Sequence, residues 1–261
     1  MGLVCLVSAK GSPGVTTTAL GLAAAATLDT AHRKLLLEAD PSGGSLAVRF
    51  HLGRQPGLVT LAAAGRHGLA RDDLWRHAQE LPGGLPVVVA PERPDRATSV
   101  LEASGARLGR WLAERPDVTT VADCGRLAST GAGLAGEADL VVMVARSVAE
   151  QIHPGAALLD QLAAAHRPAA WLLIGTTPHS ADEVERVTGH PVLRALPDDP
   201  RAAAALSAGD ISTRLARRPL LREIATLATD IAAVVGPTAT VEPAPTPGIG
   251  AESALSNLEA V

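Results

Sequence analysis

The stretch Leu3-Val4-Cys5-Leu6-Val7-Ser8-Ala9-Lys10-Gly11-Ser12-Pro13-Gly14-Val15-Thr16-Thr17-Thr18 decides the fold. Residues 3–8 form a short apolar run without alternation, as expected of a strand covered on both faces. A glycine-rich turn follows, and then an alanine-rich segment, 16–28, that reads as a helix. A strand, a glycine turn and a helix N-terminus make a cradle for phosphate. Backbone N–H groups converge on the anion there, and the helix dipole favours negative charge. Gly11 and Gly14 permit the tight path, and Ser12 and Thr17 sit in the same turn. Thr16 falls where a hydroxyl would coordinate Mg²⁺. The strict pattern G-x-x-x-x-G-K-[ST] nevertheless fails twice, because Ala9 stands at its first glycine and Val15 at its lysine. On this stretch alone an ordinary strand-to-helix turn stands as the competing reading.

Beyond the loop, short apolar runs alternate with helix-length segments. Strands are predicted at 3–8, 35–39, 85–90, 118–123, 139–145, 169–175 and 191–196, and helices at 16–28, 95–114, 148–166 and 218–235. The 95–114 segment places Val100, Leu101, Leu108, Trp111 and Leu112 at helical spacing. This rhythm predicts an α/β fold, a doubly wound and mostly parallel sheet flanked by helices, with ligands at the carboxyl ends of the strands. The domain is expected to span residues 1–236. A Pro-rich linker, 237–250, and a short tail, 251–261, are expected to follow. The tail carries Leu255, Leu258 and Val261 on one side, and either frays or docks a protein partner.

Composition limits the classes of function. Hydrophobic residues make up 47% of the 261, enough for a sizeable core. No apolar run approaches the ~18 residues of a membrane span, and the N-terminus reads as a buried strand without the charged region of a signal peptide. A cytoplasmic protein with two reduced core cysteines, Cys5 and Cys124, is expected. A net charge of −4 gives no overall nucleic-acid footprint. Aromatic residues at 2% leave no platform for base stacking. Of the 23 basic residues only Lys10 and Lys34 are lysines, and Lys10 lies inside the glycine turn. The eight histidines show no metal-ligand spacing.

Three elements together resemble the ParA/MinD family of deviant Walker ATPases. Their loop reads K-G-G-x-G-K-[ST], and Lys10, Gly11, Gly14 and Thr16 match it, while Ser12 and Val15 depart. Their Asp-x-Asp-Pro stretch is matched by Glu38-Ala39-Asp40-Pro41. Their third acid, at the end of a further strand, is matched by Asp123 in Val118–Asp123. The resemblance covers residues 1–235. Loss of the second lysine, with Ala90-Pro91-Glu92-Arg93-Pro94 after a strand, is similar to the CpaE/TadZ-like branch. Members of that branch often carry an N-terminal receiver-like domain, which is not seen ahead of this loop.

The resemblance implies ATP or ADP with Mg²⁺ as ligands. It implies that Asp40 positions the attacking water and that Thr16, Asp40 and Asp123 lie around the metal. It also implies that Lys10 reaches the phosphates across a homodimer. At the base end it points to Thr177, Pro197 and Asp198, for which plain strand-to-helix turns are the alternative. Arg126 either contacts phosphate or a dimer partner, or is a solvated loop residue. Arg214, Arg217, Arg218 and Arg222 offer a weak signal for non-specific DNA binding. The expected function is nucleotide-gated positioning or assembly of a larger machine, with weak or absent hydrolysis. A nucleotide-independent scaffold with a constitutive dimer and an active DNA-partitioning ATPase are the rivals.

Overall fold

The computed structural model describes residues 2–11, 14–25, 33–127, 133–210 and 213–235. Ser12, the end of the helix expected over 16–28, Gly236, the linker and the tail lie outside the described residues.

Eight strands form one sheet: β1 (Leu3–Ser8), β2 (Arg33–Glu38), β3 (Gln79–Glu80), β4 (Pro86–Val88), β5 (Val118–Arg126), β6 (Leu140–Arg146), β7 (Ala169–Ile174) and β8 (Val192–Leu196). Their order is β3-β4-β2-β5-β1-β6-β7-β8. Every pairing is parallel except that of β3 with β4. The chain leaves β1 for β2 across a gap that β5 later fills, and then steps the other way through β6, β7 and β8. The order therefore reverses around β1. In open α/β sheets a crevice forms at such a reversal, outside the carboxyl ends of the strands.

The longer helices are α1 (Val15–Ala24), α5 (Pro94–Ala113), α6 (Ala149–Ala164) and α10 (Pro219–Val235). Shorter ones are α2 (Leu46–Arg49), α3 (Leu58–Ala64), α4 (Asp73–Arg76), α7 (Ala181–Thr188), α8 (Pro200–Ser207) and α9 (Thr213–Ala216). Two apolar clusters occupy the two faces of the sheet. One joins Leu3, Cys5 and Val7 of β1 to Leu108 and Leu112 of α5 and Leu159 of α6. The other joins Val4 and Leu6 to Leu20 of α1, Leu206 of α8 and Ile224 of α10. Successive residues of β1 thus point into opposite cores, which is why that strand is apolar throughout. Cys5 and Cys124 are both buried free thiols. Their mutual contact and burial push the Cys124 thiol up, so it stays protonated and unreactive. No helix among the described residues is long and apolar enough to cross a membrane.

Candidate functional site

The carboxyl ends of β1, β2 and β5 deliver the sequence-predicted residues to one place, because the three strands are neighbours in register. Leu6 of β1 pairs with Asp123, and so does Glu38 of β2. At the end of β1 the backbone turns into α1 through Gly14, whose φ of 99° lies in the left-handed region that favours glycine. The Thr18 N–H donates to Gly14 O at 2.9 Å and starts the helix. The first-turn N–H groups of an α-helix have no acceptor within the helix, the arrangement that attracts an anion.

Asp123 is the buried centre of the acid side, 2% exposed. Its carboxylate accepts from the Thr16 hydroxyl and, at 3.1 Å, from the Gly125 N–H. Burial still dominates, and with Glu38 and Asp40 nearby it pushes the carboxyl up to about 6. Asp40 sits just outside. Its carboxylate accepts from the Ser42 N–H at 2.7 Å and lies flat against Gly125. A Cβ at Gly125 would fall 2.1 Å from the Asp40 Cγ, and the φ of 56° there is itself left-handed, so glycine is required twice over.

Glu38 does not face the mouth of the site. Its carboxylate is 1% exposed and accepts three backbone N–H bonds: Ser45 at 2.6 Å, Leu46 at 2.9 Å and Ala90 at 3.0 Å. Burial pushes its carboxyl up, and those three donors pull it partly back. Glu38 therefore staples the segment after Asp40 to the end of β4. Gly44 N–H reinforces the staple by donating to Pro91 O at 2.8 Å, as does the Thr98 hydroxyl by donating to Pro41 O at 3.1 Å. The Ala90-Pro91-Glu92-Arg93-Pro94 stretch is thus the anchor for the Asp40 loop, a role its sequence did not disclose.

The loop side is different. Val15 is 6% exposed and packs into the same cluster as Val4, Leu6 and Ala19. Lys10 is exposed at the other end of the turn, and Gly11 beside it has nothing within 4 Å of where a Cβ would lie. Arg126 is exposed next to Asp40's loop and lines an open cleft with Ala9, Pro41 and Ser42.

On the far side of α1 lies a recess of about 230 Å³. Gly14 and Thr17 from the loop, Ile174 from the end of β7, and Pro197 and Asp198 from the turn after β8 line it. Of the base-end residues expected from the sequence, Pro197 and Asp198 are brought to the loop. Thr177 is exposed and is not part of this lining. Arg146, at the end of β6, lines the same recess and pairs with Asp198 at 2.7 Å. Sequence reasoning missed Arg146 among 21 arginines; its place as the last residue of a strand, facing the ligand edge of the sheet, was the available signal. Asp199, by contrast, is committed to structure: it caps α8 through the Ala202 N–H at 3.0 Å and grips Arg218. Arg214, Arg217 and Arg222 are exposed.

The donor set suits a Mg²⁺–nucleotide. Among the described residues no group of three or more His, Cys, Asp or Glu could hold a metal by itself. A Mg²⁺ would instead take the Thr16 hydroxyl and a carboxylate, and complete its shell with phosphate and water, which is its usual habit.

No protein-family model matches the sequence, and no curated protein is a detectable relative. Solved structures do match. The cell division ATPase MinD of Pyrococcus furiosus superposes with a TM-score of 0.70 at 16% identity, over 90% of this chain and 100% of that one. A ParA family ATPase from Chlorobium tepidum gives 0.67 at 18% identity, over 87% and 98%. The septum site-determining protein MinD of Pyrococcus horikoshii, solved with Mg-ADP, gives 0.71 at 14% identity, over 90% and 97%. The chain therefore has the MinD/ParA P-loop fold.

Proposed function

We propose that the protein binds ATP or ADP with Mg²⁺ at the Lys10–Thr17 loop and works as a nucleotide-gated homodimer that positions or assembles a larger machine, with weak or absent hydrolysis. The observation that carries this reading is the pairing of Thr16 with buried Asp123 at the mouth of the loop while Val15 is packed into the core. The first keeps the metal–phosphate end of a nucleotide site. The second withholds the cation that would draw charge from the phosphates. The fold is shared with a protein solved with Mg-ADP, which supports the same ligand class.

Magnitudes separate binding from turnover. A hydrogen bond to a charged group contributes about 1.5–3 kcal/mol, so a missing ammonium weakens binding roughly 10- to 150-fold. Nucleotide at millimolar concentration tolerates that. A cation acting on the phosphoryl group in the transition state is worth ~10³–10⁵ in rate, and hydrolysis does not tolerate such a loss. In this reading Asp40 orients a water, but that alone does not replace the charge. Lys10 is the cation left at the loop, and in this reading it acts across the dimer on the partner's phosphates. Degeneration of the lysine fits the CpaE/TadZ-like branch.

Titration calorimetry with Mg-ATP at millimolar concentration tests the reading: binding is expected, and no heat of binding refutes it. Lys10→Ala is expected to abolish ATP-dependent dimerisation measured by light scattering; an unchanged dimer removes the role across the interface.

A further inference from the structure

An open groove of about 450 Å³ lies between α3 and the stretch that anchors the Asp40 loop. Ala47, Val59, Ala90 and Pro91 give it an apolar lining, and Val59 is exposed there. Three arginines line it too, against one acid, Glu92. Two of them are committed: Arg54 pairs with Glu92 at 3.0 Å, and Arg93 with Asp95 at 2.8 Å. Arg96, in the first turn of α5, is exposed and has no carboxylate partner among the described residues. The groove therefore sets an apolar strip beside an unmatched positive charge.

The chain carries a segment of the opposite character. In 251–261, Leu255, Leu258 and Val261 recur at helical spacing, and Glu252 and Glu259 are the only charged residues. Their seven-residue interval is close to two helical turns, a spacing that puts both carboxylates on one flank of the apolar side. α10 ends at Val235, which packs on the same apolar cluster as Ala47 of the groove, so the chain leaves the domain on that side of the sheet. A Pro-rich linker the length of residues 236–250 spans about 46 Å, roughly the diameter of the domain. We propose that the groove seats the chain's own 251–261 tail: Leu255 and Leu258 cover Val59 and Pro91, and Arg96 takes a tail carboxylate. The tether holds the tail at an effective concentration of about millimolar, so a weak contact suffices. The seated tail braces the Ala90–Pro94 stretch from outside, and with it the Asp40 loop.

The test is the distance between nitroxide labels at Ser99→Cys and Asn257→Cys in the full chain, read by pulsed electron resonance without nucleotide. Ser99 is exposed one turn after Arg96, and the native thiols, Cys5 and Cys124, are buried. A narrow short-distance component is expected, unchanged when labelled chain is diluted into unlabelled chain. Leu255→Asp with Leu258→Asp, a change confined to the tail, is expected to remove it. Arg96→Glu is expected to cut the docked-to-free ratio about 2- to 5-fold. Adding Glu252→Lys and Glu259→Lys in that background is expected to restore it. A single broad distribution in the labelled, otherwise unchanged chain overturns the proposal. So does a narrow component that falls away on dilution, which means that a second copy supplies the tail. A component indifferent to the tail leucines or to Arg96→Glu overturns the assignment to this groove.

Discussion

The acid side and the loop side of the site are held to different degrees. Glu38 accepts three backbone N–H bonds, Asp40 is fixed by Ser42 and by the surface of Gly125, and Asp123 accepts from Thr16 and Gly125. Opposite them, Lys10 is exposed and Val15 belongs to the apolar core. The carboxylates are thus over-determined on one side, while cationic charge is thin on the other. Enzymatic phosphoryl transfer needs both, whereas binding and gating need mainly the first. The asymmetry is the physical reason for favouring a switch over a catalyst.

Removing the staple should break the well-held side most severely. Glu38→Ala leaves three backbone N–H groups without their acceptor in a buried place. An orphaned buried donor costs about 1–3 kcal/mol, and some solvent will enter, so a loss of roughly 3–5 kcal/mol is expected in urea denaturation, with m unchanged. A loss below about 1 kcal/mol would mean that the Asp40 loop is not anchored through Glu38.

Asp123→Asn sharpens the contrast in the other direction. A carboxyl raised from its ordinary value to about 6 binds protons more tightly in the folded state than in the unfolded one. Its ionisation therefore destabilises the fold fully above about pH 6, and that penalty fades as pH falls from 6 toward 4. Two pH units correspond to about 3 kcal/mol at most. The amide should accordingly stabilise the protein at pH 7.5, raising Tm by several degrees, with the gain shrinking by pH 5. The same variant should lose the stabilisation that Mg-nucleotide confers on the wild type. Scanning calorimetry at the two pH values, with and without nucleotide, measures both; a variant less stable at pH 7.5 would contradict the burial argument.

Val15→Lys supplies the absent charge. About 10- to 150-fold tighter Mg-ATP binding is expected by calorimetry. Loss of the valine's packing should lower the stability of the nucleotide-free protein by roughly 1 kcal/mol. Unchanged affinity would show that the loop does not lie under the phosphates.

The sheet was legible because each of its core strands is an apolar run bounded by turns, and β1 and β5 begin where the sequence places them. Ends shifted by a residue or two elsewhere, since β2 starts at the polar Arg33 and Lys34 and β6 runs on into Arg146. The two-residue β3, which adds the antiparallel edge, has no hydrophobic pattern to reveal it. Helices α2, α3, α4, α7, α8 and α9 were not named from the sequence, because each is only four to eight residues long. Within the site, Asp40 and Asp123 stood out because each ends an apolar strand. The job of Glu38 was not legible, because a staple depends on which distant N–H groups come within reach; Ser45 and Ala90 are brought to it only by the pairing of β2 with β4. Arg146 depended in the same way on the turn after β8 arriving beside β6.

The central claim, binding and gating without appreciable turnover, is met most directly by one paired measurement: the molar mass of the full chain by light scattering with and without Mg-ATP, and phosphate release from the same samples. The account predicts that mass doubles with Mg-ATP and that phosphate release stays at background. An unchanged mass, or steady phosphate release at an ordinary ATPase rate, would contradict it.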